Sequence, residues 1–313
     1  MYQLSRFFKY LLLLHQSTFF ERYKTIMADK KLRIAVQKSG RLNEDSLKLI
    51  KDCGIAIDNG EDQLKVTARN FPLELFFLRN SDIPQYIEDG VADIAIIGEN
   101  LLIEKPHEVK VIQRLGFSKC KVSLAIPKNE NYNGLNYFDG KKLATSYPNT
   151  LQQFLKKNNL SAEIHEISGS VEIAPNIGLA DGICDIVSTG STLFKNGLKE
   201  VEVLFQSEAV LITGKNLSAE AKNLFDKLLF RINAVLSARN NKYILLNAPN
   251  NKLQEIIALL PGMKSPTILP LAEEGWSSLH SVISENEFWD KIDGLKKLGA
   301  QGILVVPIEK MVM

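Results

Sequence analysis

The sequence predicts an α/β protein with two successive α/β lobes and a smaller third domain. Strand-like and helix-like segments alternate from residue 32 to residue 212, which favours largely parallel sheets with helices on both faces. An asparagine-rich loop at 129–136 separates two such runs and predicts a hinge. After residue 243 the order is strand, helix, strand, strand, helix, strand, which is the ferredoxin-like pattern.

The composition is that of an ordinary globular protein. Of its 313 residues, 45% are hydrophobic and 24% are charged. The formal net charge of +2 gives no electrostatic case for nucleic acid or an acidic membrane as a partner. Three cysteines and four histidines are scattered without C-x-x-C or metal-ligand spacing, so we expect free thiols, no metal cage and a cytoplasmic location.

The first 26 residues are expected to be upstream sequence, with Met27 beginning the working protein. Their apolar patch at Leu11–Leu14 is too short to span a bilayer, and the small-residue cleavage site of a signal peptide is missing. We therefore assign residues 1–30 to an extension outside the fold.

Cationic side chains follow two strands of the predicted first lobe. The strand Leu32–Val36 precedes Lys38 and Arg41, and the strand Leu73–Leu78 precedes Arg79. In open α/β sheets, ligands bind beyond the carboxyl ends of the strands. This placement favours an anion contact over three solvated surface charges.

The other elements of the first lobe are defined by the same patterns. Asn43 is the expected N-cap of a helix that ends at Gly54, and Ala92–Ile97 and Lys121–Pro127 are further strands. These boundaries assign residues 31–128 and 204–238 to the first lobe, 129–203 to the second lobe and 239–313 to the third domain.

The second lobe contains a hydroxyl-rich loop. A short apolar strand at Ile183–Val187 ends in Ser-Thr-Gly-Ser-Thr at Ser188–Thr192. A glycine lets the backbone approach a phosphate, and the N–H groups at a helix start favour an anion. Asp185 is placed to accept hydrogen bonds from sugar hydroxyls. The alternative reading is a Ser/Thr-rich turn that caps a helix.

The third domain shows no obvious cluster of catalytic side chains. Ser218 is the predicted N-cap of a long amphipathic helix that leads to it. We expect the domain to sense a ligand or to mediate assembly, with structural support as the alternative.

Ordered motifs along nearly the whole chain from Leu32 to Met313 carry a family resemblance. They are LRIAVQKSGRL at 32–42, DIP at 82–84, IIGEN at 96–100, ATSYP at 144–148, GSVE at 169–172, GLAD at 178–181, DGICDIVSTGST at 181–192, SPTILPL at 265–271 and ILVVPIEKM at 303–311. The chain resembles the long form of ATP phosphoribosyltransferase, the first enzyme of histidine biosynthesis. Residues 243–313 exclude the short form, which lacks the third domain.

The resemblance implies two catalytic lobes like those of periplasmic solute-binding proteins, followed by an ACT-like regulatory domain. The reaction would join adenine N1 of ATP to C1 of 5-phosphoribosyl 1-diphosphate (PRPP) and release pyrophosphate. Mg²⁺ would enter with the substrate, without an assigned protein ligand. Histidine and AMP would inhibit, and the protein would form homo-oligomers, with dimers assembling into hexamers.

The resemblance also implies residue roles. PRPP would be held by Glu172, Asp185, Ser188, Thr189, Gly190, Ser191 and Thr192. ATP or AMP would meet Lys38, Arg41, Arg79 and Tyr147. Histidine would meet Asn247, Thr267 and Gly302, with Asn247 standing where some relatives carry an acidic residue. Cys184 occupies the place of the first of two adjacent acidic residues in ordinary phosphoribosyltransferases, so Glu172 is the candidate second carboxylate beside Asp185.

The chemistry fits the residues at hand. Adenine N1 carries no proton at neutral pH, so catalysis would rest on positioning and on charge stabilisation rather than on a general base. Two alternatives stay open. One is a catalytically inactive subunit that senses histidine, and the other is an exported solute-binding protein of the same two-lobe architecture.

Overall fold

The structure is a computed structural model that describes residues 31–58, 63–260, 262 and 265–312. The predictions for residues 1–30 lie outside the described residues. Within the described ranges, no helix is long and apolar enough to cross a membrane.

Strands and helices follow one another in the predicted alternation. The strands are β1 (Leu32–Gln37), β2 (Lys65–Thr67), β3 (Leu73–Leu78), β4 (Ile94–Gly98), β5 (Val109–Arg114), β6 (Cys120–Pro127), β7 (Lys142–Thr145), β8 (Glu163–Glu166), β9 (Gly182–Val187), β10 (Leu198–Ser207), β11 (Ala209–Gly214), β12 (Asn241–Pro249), β13 (Thr267–Pro270), β14 (Trp276–Ser284) and β15 (Gln301–Pro307). The helices are α1 (Arg41–Asp52), α2 (Ile83–Glu88), α3 (Glu99–Glu104), α4 (Pro148–Lys157), α5 (Ser191–Lys195), α6 (Ala219–Arg239), α7 (Leu253–Leu259) and α8 (Glu285–Lys297).

Both lobe sheets are mixed, which corrects the prediction of largely parallel sheets. In the first sheet, of order β2-β3-β1-β4-β11-β5, β1 runs parallel to β3 and β4, and the remaining pairs are antiparallel. In the second sheet, of order β10-β6-β9-β7-β8, β7 runs parallel to β8 and β9, whereas β6 is antiparallel to β9 and β10. The chain crosses between the sheets from β5 to β6 and from β10 to β11, and local helix–strand alternation does not reveal such crossings.

The crossings also move the boundaries of the second lobe. β6 and the whole of β10 belong to the second sheet, although residues 120–127 and 204–207 were assigned to the first lobe. The pairing of β6 with β10 runs from Leu198↔Pro127 to Ser207↔Cys120. This long-range register decides the boundary, whereas the asparagine-rich loop that suggested a hinge lies within the second lobe.

The lobe cores follow from the burial of the strands. All five residues of β4, a strand in the interior of the first sheet, are buried. In the second lobe, one apolar cluster includes Phe138 and Leu151, and another includes Val171 and Leu193. The strand ends are therefore held at fixed positions, and those ends carry the candidate site residues.

The chain separates into two compact units. Of the described residues, 31–48 and 55–225 form the first unit, which contains both lobe sheets. Residues 49–54 and 226–312 form the second. The division falls within α6, before the predicted boundary after residue 238. The predicted N-cap of α6 is confirmed, because Ser218 Oγ accepts a hydrogen bond of 3.2 Å from the Ala221 backbone N–H.

The second unit has the predicted βαββαβ order. Its sheet is β13-β14-β12-β15, and all its paired strands are antiparallel in the described part of the chain. Buried residues of β12 and β14, including Leu246 and Leu279, pack with Ile256 of α7 and Leu295 of α8. One face of the sheet therefore carries the core of this domain.

Candidate functional site

A cleft of about 340 Å³ lies where strand ends of the two lobe sheets face each other. Gln37 and Gly98 are the last residues of β1 and β4, and Ser188 directly follows β9. This is the sheet edge at which open α/β sheets bind ligands. The cleft is lined by Gln37, Arg41, Leu42, Asn80, Gly98, Asn100, Leu101, Ser118, Cys120, Tyr147, Ile186 and Ser188.

Three cations lie at this edge in the first lobe. Lys38 follows β1 and Arg79 follows the adjacent parallel strand β3, and both side chains are exposed. The Lys38 backbone N–H donates a 2.7 Å hydrogen bond to the Leu78 carbonyl, which extends the pairing of the two strands. Arg41 lines the cleft, whereas Lys38 and Arg79 stand outside its lining. The Arg41 guanidinium also donates a 3.3 Å hydrogen bond to the Lys119 carbonyl in the crossing to β6.

The start of α1 differs from the prediction that Asn43 is its N-cap. Asn43 lies inside the first turn, and its Nδ2 donates a 2.6 Å hydrogen bond to the Gln37 carbonyl. Gly40 has a φ of +84°, a conformation that favours glycine and lets the chain turn directly from β1 into the helix. The helix therefore begins at Arg41, which places this cation at the cleft.

Tyr147 connects the second lobe to the first. Its ring is buried in the apolar cluster of the second lobe, and its hydroxyl accepts a 2.8 Å hydrogen bond from Asn100 Nδ2. Burial raises the pKa of Tyr147, and the charge of Asp185 raises it further, although the Asn100 bond opposes both. The phenol is therefore neutral near neutral pH.

Asn100 is a cleft residue to which sequence reasoning gave no role. It is 3% exposed, its backbone N–H donates to Ser207 Oγ at 2.9 Å, and Ser207 Oγ donates to its Oδ1 at 3.2 Å. A Cβ added at Gly98 would overlap Asn100 Oδ1, so a glycine at position 98 leaves room for this orientation. The available signal was the motif IIGEN, in which a polar amide closely follows a buried strand.

Two carboxylates lie near each other in the second lobe. Asp185 is 8% exposed on β9 and accepts a 2.6 Å hydrogen bond from Ser146 Oγ. Burial raises the pKa of Asp185, the bonds from Ser146 and the Ile186 backbone lower it, and the charge of Glu172 raises it. Glu172 lies in a short helical turn at Val171–Ile173.

The hydroxyl-rich loop joins β9 to α5. Gly190 has a φ of +74° with open space where a Cβ would lie, and Ser188 lines the cleft. Thr189, Ser191 and Thr192 are exposed, and Thr189 Oγ1 donates a 3.0 Å hydrogen bond to Ser191 Oγ. Hydroxyl groups are thus presented to solvent beside the cleft, and the Ser191 backbone N–H donates a 3.4 Å hydrogen bond to Thr189 Oγ1.

The candidate effector residues are only partly brought together. A Cβ on Gly302 would lie 3.3 Å from Asn247 Nδ2, so β15 and β12 place these two residues side by side. Thr267 lies on β13 and pairs with His280 of β14, the strand between β13 and β12. Two strand spacings separate Thr267 from β12, which is about 10 Å across the sheet.

Fold and site together define a two-lobed α/β protein with a polar cleft between its lobes and a ferredoxin-like domain attached. The family model described as ATP phosphoribosyltransferase matches residues 79–234, and a model of the C-terminal domain of HisG matches residues 238–310. The chain belongs to the ATP phosphoribosyltransferase family, in its long form with the C-terminal domain.

Individual relatives agree with this assignment. The ATP phosphoribosyltransferase of Cytophaga hutchinsonii is 58% identical over 90% of this chain and 98% of the relative. That of Bacteroides thetaiotaomicron is 58% identical over 90% of this chain and 100% of the relative. A chain of the ATP phosphoribosyl transferase (HisG:HisZ) complex from Thermotoga maritima has a TM-score of 0.54 at 28% identity, covering 64% of this chain and 98% of that chain.

The Asn100 side chain occupies the space that a Cβ at position 98 would need, and this gives a testable stability prediction. We expect Asn100→Ala to destabilise the protein by about 1–3 kcal/mol, because it leaves buried polar partners unsatisfied. Gly98→Ala should cost a similar amount by displacing the Asn100 amide. In an Asn100→Ala background the same Gly98→Ala change should cost less than about 0.5 kcal/mol, as coupled sites are non-additive. Urea unfolding of the wild type, the two single variants and the double variant measures these free energies. Additive costs of the two substitutions would contradict the prediction.

Proposed function

We propose that this protein transfers the 5-phosphoribosyl group of PRPP to adenine N1 of ATP and releases pyrophosphate, the first step of histidine biosynthesis. The observation that carries the proposal is a cleft lined from both lobes by Arg41, Tyr147 and Ser188, in a chain 58% identical to a curated ATP phosphoribosyltransferase. A cation, an aromatic ring and a hydroxyl loop suit a nucleotide and a sugar phosphate.

PRPP is proposed to bind to the second lobe. Ser188–Thr192 would hold its 5′-phosphate, supported by the exposed hydroxyls and by the left-handed turn at Gly190. Asp185 and Glu172 would accept hydrogen bonds from the ribose hydroxyls. An ionised carboxylate can accept such bonds on both oxygens, whereas a protonated one has an O–H donor in place of one acceptor. The raised pKa of Asp185 therefore bears on activity.

ATP is proposed to bind between the lobes. Lys38, Arg41 and Arg79 lie at one sheet edge of the first lobe and would neutralise phosphate charge of ATP and of the departing pyrophosphate. Tyr147, which is uncharged, would meet the nucleotide from the second lobe. Catalysis would then come from alignment of N1 with C1 and from stabilisation of a cationic ribose and an anionic leaving group.

Mg²⁺ is proposed to enter as part of the PRPP substrate. Within the described part of the chain, no three His, Cys, Asp or Glu side chains converge as metal ligands. The pyrophosphate oxygens of PRPP are the hard ligands that Mg²⁺ prefers. The protein side chains would bind the metal-bearing substrate through its phosphate and hydroxyl groups.

The decisive experiment mixes the purified protein with ATP, PRPP and Mg²⁺ and follows the ultraviolet absorbance of the adduct. Formation of adduct supports the proposal. An exported solute-binding protein would bind a ligand without turnover, and an inactive regulatory subunit would bind histidine without turnover. Either result would overturn the proposal.

Replacement of Arg41 tests the ATP side of the cleft. We expect Arg41→Ala to lower kcat/KM for ATP by about 10- to 150-fold, because a charge-assisted hydrogen bond contributes about 1.5–3 kcal/mol. The matched control is Arg69→Ala, which removes an exposed arginine paired with Asp58 away from the cleft. Steady-state rates at saturating PRPP measure the effect. Equal kinetics for Arg41→Ala and the wild type would remove Arg41 from the site.

The raised pKa of Asp185 predicts a pH dependence of PRPP use. The ionised carboxylate is the active form, so kcat/KM for PRPP should fall with decreasing pH, starting at a higher pH than for an ordinary aspartate. Asp185→Asn should lower kcat/KM by about tenfold or more and abolish this part of the profile. Titration of PRPP itself would appear in both proteins. Identical pH profiles of variant and wild type would therefore contradict the role of Asp185.

The third domain is proposed to bind histidine and to inhibit the enzyme. The match of residues 238–310 to the family's C-terminal domain supports this role, and Asn247 beside Gly302 offers an amide to the ligand. Thr267 would contribute from β13. We also propose AMP as an inhibitor at the ATP site, a homo-oligomer built from dimers that assemble into hexamers, and a cytoplasmic location.

A charge change at Asn247 tests histidine binding. We expect Asn247→Asp to lower the inhibition constant of histidine by about fivefold or more, since a carboxylate forms a charge-assisted bond with the ligand's ammonium group. Thr267→Val should raise that constant. Each constant is measured against the variant's own uninhibited rate. An absence of histidine inhibition in the wild type would refute the sensing role.

A further inference from the structure

Glu104 in the first lobe caps a helix of the second lobe. It is the last residue of α3, which follows β4, whereas α4 follows β7 in the other sheet. Its Oε1 accepts a 2.8 Å hydrogen bond from the Asn149 backbone N–H, and its Oε2 accepts one of 2.9 Å from the Thr150 N–H. Asn149 Nδ2 also donates to the Glu104 carbonyl at 3.2 Å.

The N-terminus of α4 depends on this external acceptor. The first N–H groups of a helix have no acceptor within the helix itself. Tyr147 at the N-cap makes no side-chain cap, Pro148 has no N–H, and the first turn contains no acidic residue. Glu104 therefore supplies the negative charge that a helix N-terminus favours, and both of its bonds are charge-assisted.

A second bond from α3 reaches the residue just before α4. Asn100 lies four residues before Glu104, on the same side of α3, and its Nδ2 donates to the Tyr147 hydroxyl. Asn100 and Glu104 thus hold α4 on both sides of Pro148. Two contacts along one helix fix orientation as well as distance, and Tyr147 lines the cleft.

We propose that Glu104 is a positioning residue that sets the placement of the second lobe against the first through the N-terminus of α4. The inference rests on the proposed function, in which ATP is bound largely by the first lobe and PRPP by the second. Glu104 is not among the residues that line the cleft. Because it controls alignment between two bound reactants, its loss should lower turnover more than it weakens the binding of PRPP to its own lobe.

The kinetic test compares Glu104→Ala and Glu104→Gln with the wild type. We expect Glu104→Ala to lower kcat by about tenfold or more while KM for PRPP changes less than about threefold. Glu104→Gln keeps one acceptor oxygen and should give an intermediate kcat. The matched control is Glu163→Gln, an exposed carboxylate of the second lobe paired with Lys142, which should leave kcat unchanged.

Two results would overturn the proposal from kinetics. One is a kcat for Glu104→Ala within twofold of the wild type. The other is a loss of kcat equal to the loss of folded protein, measured from the thermal unfolding of the same samples, because that result would give Glu104 only a structural role.

A distance measurement tests the proposal independently of catalysis. Nitroxide labels at Leu64→Cys and Lys157→Cys, one in each lobe, report the lobe separation in a Cys120→Ser background. We expect Glu104→Ala to broaden or shift the distance distribution. An unchanged distribution would overturn the positioning role, even if the protein proved not to be a phosphoribosyltransferase, whereas the adduct assay on the wild type judges the proposed function alone.

Discussion

The two lobe sheets share no strand, so the geometry of the cleft depends on the two chain crossings between them and on hydrogen bonds that cross from one lobe to the other. The bonds that join Asn100 to Ser207 and to Tyr147 cross in this way and are buried, with all three residues less than a tenth exposed. Buried polar groups must find partners or lose stability. This requirement keeps Asn100 bonded to its partners in the second lobe, and both Asn100 and Tyr147 line the cleft.

The cost of burying polar and charged groups also determines where charges lie around the cleft. Tyr147, Asn100 and Ser207 satisfy one another without any net charge, and burial keeps the phenol neutral. The cations lie in solvent at the first-lobe edge, where they remain charged at little desolvation cost. Asp185, by contrast, is buried, and its pKa is raised by that burial and further by the charge of Glu172. A substrate with anionic phosphates and neutral sugar hydroxyls is complementary to this separation of cationic edge and acidic pocket.

Sequence patterns predicted what depends on neighbouring residues. Leu73–Leu78 is a strand as expected, because its alternate residues Leu73, Leu75 and Phe77 are apolar and buried on one face. The N-cap at Asn43 was wrong, since the turn at Gly40 starts the helix earlier. The lobe boundaries and the contacts of Asn100 and Glu104 could not be predicted from the sequence, for a different reason. Their partners lie about 45 residues away or farther along the chain, and no local pattern specifies such pairing.

The alternation of β9 explains how this chain departs from the paired acidic residues of ordinary phosphoribosyltransferases. Successive residues of a strand point to opposite faces. Cys184 faces the apolar cluster around Phe138 and is fully buried, and burial raises the pKa of its thiol. A carboxylate at position 184 would be desolvated in that core, which costs several kcal/mol or forces it to stay protonated. Asp185 points the other way, so a second carboxylate must come from another element. Glu172, in the short turn Val171–Ile173, is the residue we propose for that role.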